Sequence, residues 1–152
     1  MQAAQLDEQV LSVLRLKAPG VWSISPDSTV YEAIERMADK RVGALVVLRD
    51  GKLTGIVSER DYARKVILRS KHSQETRVHE IMTAPAISVG PDHSIHECMR
   101  IMSANRVRHL PVVEEETVVG IVSIGDLVNW IIRSQEQTIN HLHNYITGAY
   151  PA

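Results

Sequence analysis

Residues 21–68 read VWSISPDSTVYEAIERMADKRVGALVVLRDGKLTGIVSERDYARKVIL, and residues 86–133 read AISVGPDHSIHECMRIMSANRVRHLPVVEEETVVGIVSIGDLVNWIIR. Laid over each other at an offset of 65 residues they align without a gap, and 15 of the 48 positions are identical. The identities include Pro26 with Pro91, Asp27 with Asp92, Glu32 with Glu97, Arg41 with Arg106, and Gly55 to Ser58 with Gly120 to Ser123. Asp61 matches Asp126. Chance gives only a few identities in a gapless window, so the chain carries two copies of one unit.

Each copy spells the same order of elements. A short strand at Trp22–Ile24, or Ile87–Val89, ends at a Pro-Asp pair, because proline cannot continue a central strand. Asp27 or Ser28 is placed to cap the helix that follows. That helix has apolar positions at Val30, Ile34, Met37 and Ala38, and at Ile95, Met99 and Met102 in the second copy. Ala44–Leu48 reads as a buried strand, Asp50-Gly51 as a hairpin turn, and Leu53–Val57 as the return strand. Glu114-Glu115-Glu116 takes the turn position in the second copy, with a weaker turn signal. A second helix starts near Glu59 and near Ile124. The expected fold class is α+β: two β-α-β-β-α repeats, neither able to bury its sheet alone, packed face to face with pseudo-two-fold symmetry. The expected organisation is an N-terminal helix in 1–20, the repeats in 21–70 and 86–135, a connector in 71–85 that is polar over 71–77 and makes a single helical turn at Val78–Met82, and a helical tail in 136–152. The N-terminal helix is expected over Leu6–Lys17, and the last helix from Gly125 to about Tyr145.

Composition narrows the function. The formal charge is -1, with no footprint for non-specific nucleic-acid binding. Cys98 is the only cysteine, which excludes an internal disulfide framework and a cysteine zinc cluster. Residues 1–5 lack the basic stretch and apolar core of a signal peptide, and no apolar run approaches a membrane span; the expectation is a cytoplasmic protein. His93-x-x-His96 with Cys98 is the nearest approach to a metal set, but Cys98 points away from the histidine pair on a helix and a fourth ligand is missing, so no metal is expected. No nucleophile–base set, carboxylate pair or Gly-rich phosphate loop stands out, so no catalytic residue is assigned.

The residues that carry chemistry cluster where strands meet helices. Ser58 and Asp61, with Ser123 and Asp126, sit at helix starts, where free N–H groups suit phosphate and a carboxylate can accept from a ribose diol; the same pairs also serve as helix caps. Arg60, replaced by Gly125 in the second copy, is either a phosphate ligand or a solvated arginine. Arg106, Arg108 and His109 lie before and on the second copy's central strand, against Arg41, Gly43 and Ala44 in the first. The two clefts therefore differ in chemistry, and one carries more cationic groups.

The pattern of a strand, Pro-Asp, a helix, Leu-Pro-Val-Val, a turn and Gly-Ile-Val-Ser-x-x-Asp resembles the CBS domain, named after cystathionine β-synthase, which occurs in tandem as the Bateman module. The two Gly-Ile-Val-Ser-x-x-Asp stretches recur at one period, with HLPVV at 109–113 ahead of the second, and His79 to Thr83 is similar to the family's lead-in segment. SERDYARKV at 58–66 and NYITGAYP at 144–151 are similar to short proteins made only of a CBS pair. The resemblance implies a regulatory sensor that binds AMP, ADP, ATP, NAD(H) or S-adenosylmethionine between the repeats and acts in trans on an unidentified protein. It also implies a homodimer, and an adenine slot formed by the segments around Ser23 and Ile24, Ala44, Val89 and His109. A scaffold module without an exchangeable ligand is the alternative. The dimer surface expected from the apolar pattern includes Ile34, Met37, Ala38, Met99, Met102, Trp130, Ile131, Leu142, Tyr145 and Ile146.

Overall fold

The computed structural model describes residues 8–147; the start of the expected N-terminal helix and residues 148–152 lie outside the described residues, as does the side chain of Tyr145. The elements in chain order are α1 (Val10–Arg15), β1 (Ser23–Ile24), α2 (Val30–Lys40), β2 (Ala44–Arg49), β3 (Lys52–Ser58) and α3 (Glu59–Lys65). They continue as α4 (Val78–Ile81), α5 (Ile95–Asn105), β4 (His109–Glu114), β5 (Thr117–Ser123) and α6 (Ile124–Thr147). The architecture is α+β with two repeats, as the offset of 65 requires.

Local chemistry sets the boundaries. Thr29 and Ser94 cap α2 and α5 by accepting from the backbone N–H of Glu32 (3.1 Å) and Glu97 (3.0 Å). The cap is thus one or two residues later than Asp27 or Ser28, and Asp27 instead pairs with Arg49 at 3.2 Å. Both helices end on an arginine in the left-handed region, Arg41 (φ 56°) and Arg106 (φ 53°). The hairpins turn at Asp50-Gly51 and Glu115-Glu116, all four residues at positive φ, so the second copy adopts the same turn without a glycine.

The first repeat holds three strands, with β1 parallel to β2 and β2 antiparallel to β3. In the second, β4 and β5 form a two-stranded sheet and the strand expected at Ile87–Val89 contracts to a single parallel bridge between Val89 and Val112. The cause is Pro111. In the first repeat the Val46 N–H donates to the Trp22 carbonyl at 3.2 Å; Pro111 stands at the matched position and has no N–H to give to Ile87.

The lead-in segments are exchanged between repeats. Val10 and Val13 of α1 are buried with Val89, Ile95, Leu110 and Leu127 in the second repeat's core. Val78 and Ile81 of α4 are buried with Ile24, Met37, Leu45 and Val57 in the first repeat's core. Matching hydrogen bonds hold them: Val10 N–H to the His93 carbonyl and Val78 N–H to the Ser28 carbonyl, at 2.8 and 2.9 Å. The helical turn expected at Val78–Met82 is therefore α4, seated in the first repeat's core, and the N-terminal helix belongs to the second repeat. Met37 and Met102, expected at a dimer surface, are 2% and 3% exposed and sit in the two cores. Ile34, Met99, Trp130 and Ile131 also pack against those cores.

Candidate functional site

A cleft of about 650 Å³ lies between the repeats. On one side are Ser58 and the first turns of α3; on the other is the segment from Asn105 to His109 that leaves α5 and enters β4. This volume is within the range of sites that take drug-sized and cofactor-sized ligands. The cleft brings together six of the twelve residues singled out in the sequence: Ser58, Arg60, Asp61, Arg106, Arg108 and His109.

Asp61 is 9% exposed and anchors the helix start. Its Oδ2 accepts from the Ser58 N–H (3.0 Å) and hydroxyl (3.1 Å), and its own N–H donates to Ser58 Oγ (3.2 Å), so the capping box is fully formed. Its Oδ1 takes an ion pair from Lys65, one turn on, at 3.0 Å, and faces the Thr83 hydroxyl at 3.5 Å. Arg60 reaches across the cleft and donates to the Arg106 carbonyl at 3.3 Å. The left-handed turn at Arg106 sets the course of the segment that carries this carbonyl. Gly43 lies beside the His109 ring, within ordinary contact distance of where a Cβ would stand, at 3.5 Å.

The cleft is cationic although the whole chain is not. Arg60, Arg64, Lys65, Arg106 and Arg108 face Glu59 and Asp61, five cationic side chains against two carboxylates. Arg64, Arg106 and Arg108 have no ion-pair partner among the described residues. His109 is not a sixth cation. Burial lowers its pKa, the charges of Lys17 and Arg108 act the same way, and the opposing pull of Asp126 does not offset them. At neutral pH its imidazole is a neutral donor and acceptor.

The remaining six residues lie elsewhere. Ile24, Ala44 and Val89 are buried, Ile24 and Val89 within the two cores, and the Val89 N–H and carbonyl are both spent on Pro111 and Val113. Ser23 gives its carbonyl to the Arg36 guanidinium. Ser123 and Asp126 form the matching helix start, where Asp126 Oδ2 accepts from the Ser123 N–H at 2.8 Å. Burial pushes the Asp126 carboxyl up, but hydrogen bonds and charge from Lys17 and the Ser123 N–H outweigh it and hold the group below the usual carboxylate range. Arg64, Lys65 and Thr83 line the cleft without having been singled out. The first two are legible as neighbours three and four residues beyond Asp61 on one helix face; Thr83 arrives from the lead-in of the other repeat and has no local signal.

The histidine and cysteine set does not converge. His93 Nδ1 accepts from the Gly90 N–H at 2.9 Å, while Cys98 lies in the second repeat's core with its thiol pushed up to about 11 by burial and by Glu97. Among the described residues no three His, Cys, Asp or Glu side chains are placed to hold a metal ion. No described helix is long and apolar enough to cross a membrane.

The family model for the CBS domain matches residues 16–68 and 78–133. Across 139 residues the chain is 40% identical to the mitochondrial CBS domain-containing protein CBSX3 of Arabidopsis thaliana, over 88% of this chain and 68% of that protein. A solved protein with CBS domains from Burkholderia ambifaria superposes with a TM-score of 0.81 at 44% identity, over 84% of this chain and 96% of that one. The hexameric CBS-CP12 protein of bloom-forming cyanobacteria superposes with a TM-score of 0.73 at 28% identity, over 80% of this chain and 69% of that one.

Proposed function

Because the chain belongs to the CBS-domain family, whose paired domains are generally regulatory nucleotide-binding modules, we propose that the cleft between its repeats binds an adenosine nucleotide such as AMP, ATP or NAD(H). The observation that carries this reading is the convergence of Arg60, Arg64, Arg106 and Arg108 with Asp61 around one cavity of about 650 Å³. None of these four arginines has an ion-pair partner among the described residues, and a phosphate group supplies one, with bidentate geometry that guanidinium matches. The rim near Asp61 then takes the ribose. The cationic balance favours nucleotides with free phosphates over S-adenosylmethionine, which brings a positive sulfonium. The chain acts as a sensor on a partner protein rather than as a catalyst, and we assign it to the cytoplasm. Calorimetry with AMP, ADP, ATP, NAD, NADH and S-adenosylmethionine tests the reading: heat with at least one phosphate-bearing nucleotide is expected, and silence from all six at millimolar concentration overturns it.

The apolar face of α6 supports self-association. CBS pairs oligomerise. Val128, Ile132, Ile139, Leu142 and Ile146 are 40–81% exposed. Their spacings of 4, 7, 3 and 4 residues keep them on one stripe of the helix, the pattern of a helix–helix seam. We assign that stripe to a two-fold homodimer, which buries it against its own copy. Light scattering at micromolar concentration should give twice the 17.0 kDa chain mass, and Ile139→Glu should halve it; a monomeric parent chain refutes the assignment.

A further inference from the structure

The pseudo-two-fold axis predicts a second cleft at Ser123 and Asp126, and the chain fills it with a side chain of its own. Lys17, in the lead-in after α1, places its ammonium 2.8 Å from Asp126 Oδ2 and 2.8 Å from the Ile121 carbonyl. In the first repeat the matched carbonyl, that of Ile56, accepts from the Thr83 backbone N–H at 2.8 Å, and Asp61 faces the Thr83 hydroxyl. Lys17 therefore does with one cation what Thr83 does with two neutral groups. Leu14 presses beside it: a Cβ on Gly120 would meet Leu14 Cδ2 at 2.8 Å.

Both carboxylates have a lysine, but the lysines come from different places. Lys65 lies on the same helix as Asp61 and leaves the cleft in front of it open. Lys17 comes from 109 residues away, and the space left beside Asp126 is about 120 Å³. That is well below the roughly 300 Å³ at which ligand pockets begin. The helix side also lacks the matched cationic side chains. At the offset of 65, Arg60, Arg64 and Lys65 become Gly125, Asn129 and Trp130.

We propose that Lys17 is an internal occupant of the Asp126 site, so that each chain binds one nucleotide, in the Asp61 cleft, and Lys17 is the residue that makes the two repeats unequal. This rests on the nucleotide reading above for the first cleft, but not for the state of the second. Displacing Lys17 costs the ligand an ion pair that is two-thirds shielded from solvent and a hydrogen bond to a carbonyl.

Calorimetric titration with ATP, and separately with AMP, tests this on the full chain. The parent should bind one equivalent. Lys17→Ala, and a Leu16→Ala/Lys17→Ala pair that also clears the exposed Leu16 from the same space, should gain a second, weaker equivalent. Arg60→Glu should remove the parent's site, and Lys17→Ala in that background should restore one. Two equivalents in the parent, or one in folded Lys17 variants, overturns the proposal. If the parent binds neither nucleotide, the reading of the first cleft fails by itself. In that case a site gained by the Lys17 variants still supports the internal occupant, and no gain overturns it. Hydrogen exchange of residues 10–17 in the parent provides a readout that needs no variant: protection unchanged at saturating ATP supports the proposal, and protection lost as the first equivalent binds refutes it.

Discussion

Asp61→Ala separates the two things this carboxylate can do. In the protein without ligand it closes a capping box with Ser58 and pairs with Lys65. Losing an N-terminal cap costs about 0.5–2 kcal/mol. The Lys65 pair adds about 0–1 kcal/mol, because the lysine is 36% exposed and screened. For a chain of this size each kcal/mol lowers the melting temperature by about 2–4 °C, so the variant should melt about 1–12 °C below the parent and still fold. If Asp61 also accepts from a ribose diol, binding loses a charge-assisted hydrogen bond of about 1.5–3 kcal/mol, which is about 10–150-fold in Kd. Asp61→Asn keeps an oxygen for the Ser58 N–H and removes the charge. It should recover much of the melting temperature and little of the affinity. The assay is a thermal melt of each variant paired with calorimetry against AMP and ATP. A fall in melting temperature with unchanged Kd in both variants would show that Asp61 is a cap alone, and the ribose assignment would be wrong.

Three further outcomes follow from the geometry. Gly55→Ala should destabilise by about 2–3 kcal/mol and Gly120→Ala by less, because the new Cβ at Gly55 meets the Thr83 carbonyl oxygen at 2.8 Å, a backbone atom, whereas at Gly120 it meets only the movable Leu14 side chain; equal urea midpoint shifts would contradict this. Replacing Glu115-Glu116 with Asn-Gly should raise stability by about 1–2 kcal/mol, since both glutamates sit at positive φ in a two-residue turn that asparagine and glycine adopt at lower cost; no rise in the urea midpoint would contradict it. His109 contributes stability that is present above its unfolded-state pKa of about 6.5 and is lost as the pH falls through the lower folded-state value, because the unfolded chain binds more protons in between. The melting temperature of the parent should therefore drop from pH 7.5 to 5.5 more than that of His109→Gln, and parallel profiles would refute the neutral, half-buried imidazole.

What could be read in the sequence is what is local or periodic. The hairpins follow from two buried apolar runs joined by a turn of two residues, and the helices from apolar spacing with a cap and a left-handed stop. Arg64 and Lys65 were within reach, because helical spacing from Asp61 places them on its face. The failures have one physical cause. α1 and α4 look like ornaments of the repeats they precede, yet each buries its valines in the other repeat, and no property of a six-residue or four-residue helix tells which core it enters. Thr83 and Lys17 are carried into their sites by this exchange. The methionines at 37 and 102 were ambiguous for a related reason: an apolar helical stripe has the same spacing whether it faces its own sheet or another chain, and only the sheet decides.

The two repeats also divide their likenesses by role. The matched identities fall on positions with a geometric duty: the prolines that end the first strand, the arginines at the left-handed helix ends, the glycines under the exchanged lead-ins, the serine and aspartate of the helix starts. Five differences that change charge or size lie at the helix starts and central strands that border the clefts: Gly43 against Arg108, Ala44 against His109, Arg60 against Gly125, Arg64 against Asn129, Lys65 against Trp130. On the open side these substitutions are complementary across the axis. The first repeat supplies cations from its helix, and the second supplies cations from the segment entering its strand. On the closed side the helix keeps the aspartate without the matched cations, and a largely buried carboxylate needs a counter-ion. Lys17 provides it from within the chain. A module built this way keeps the symmetry that its fold needs and breaks it where a ligand would sit.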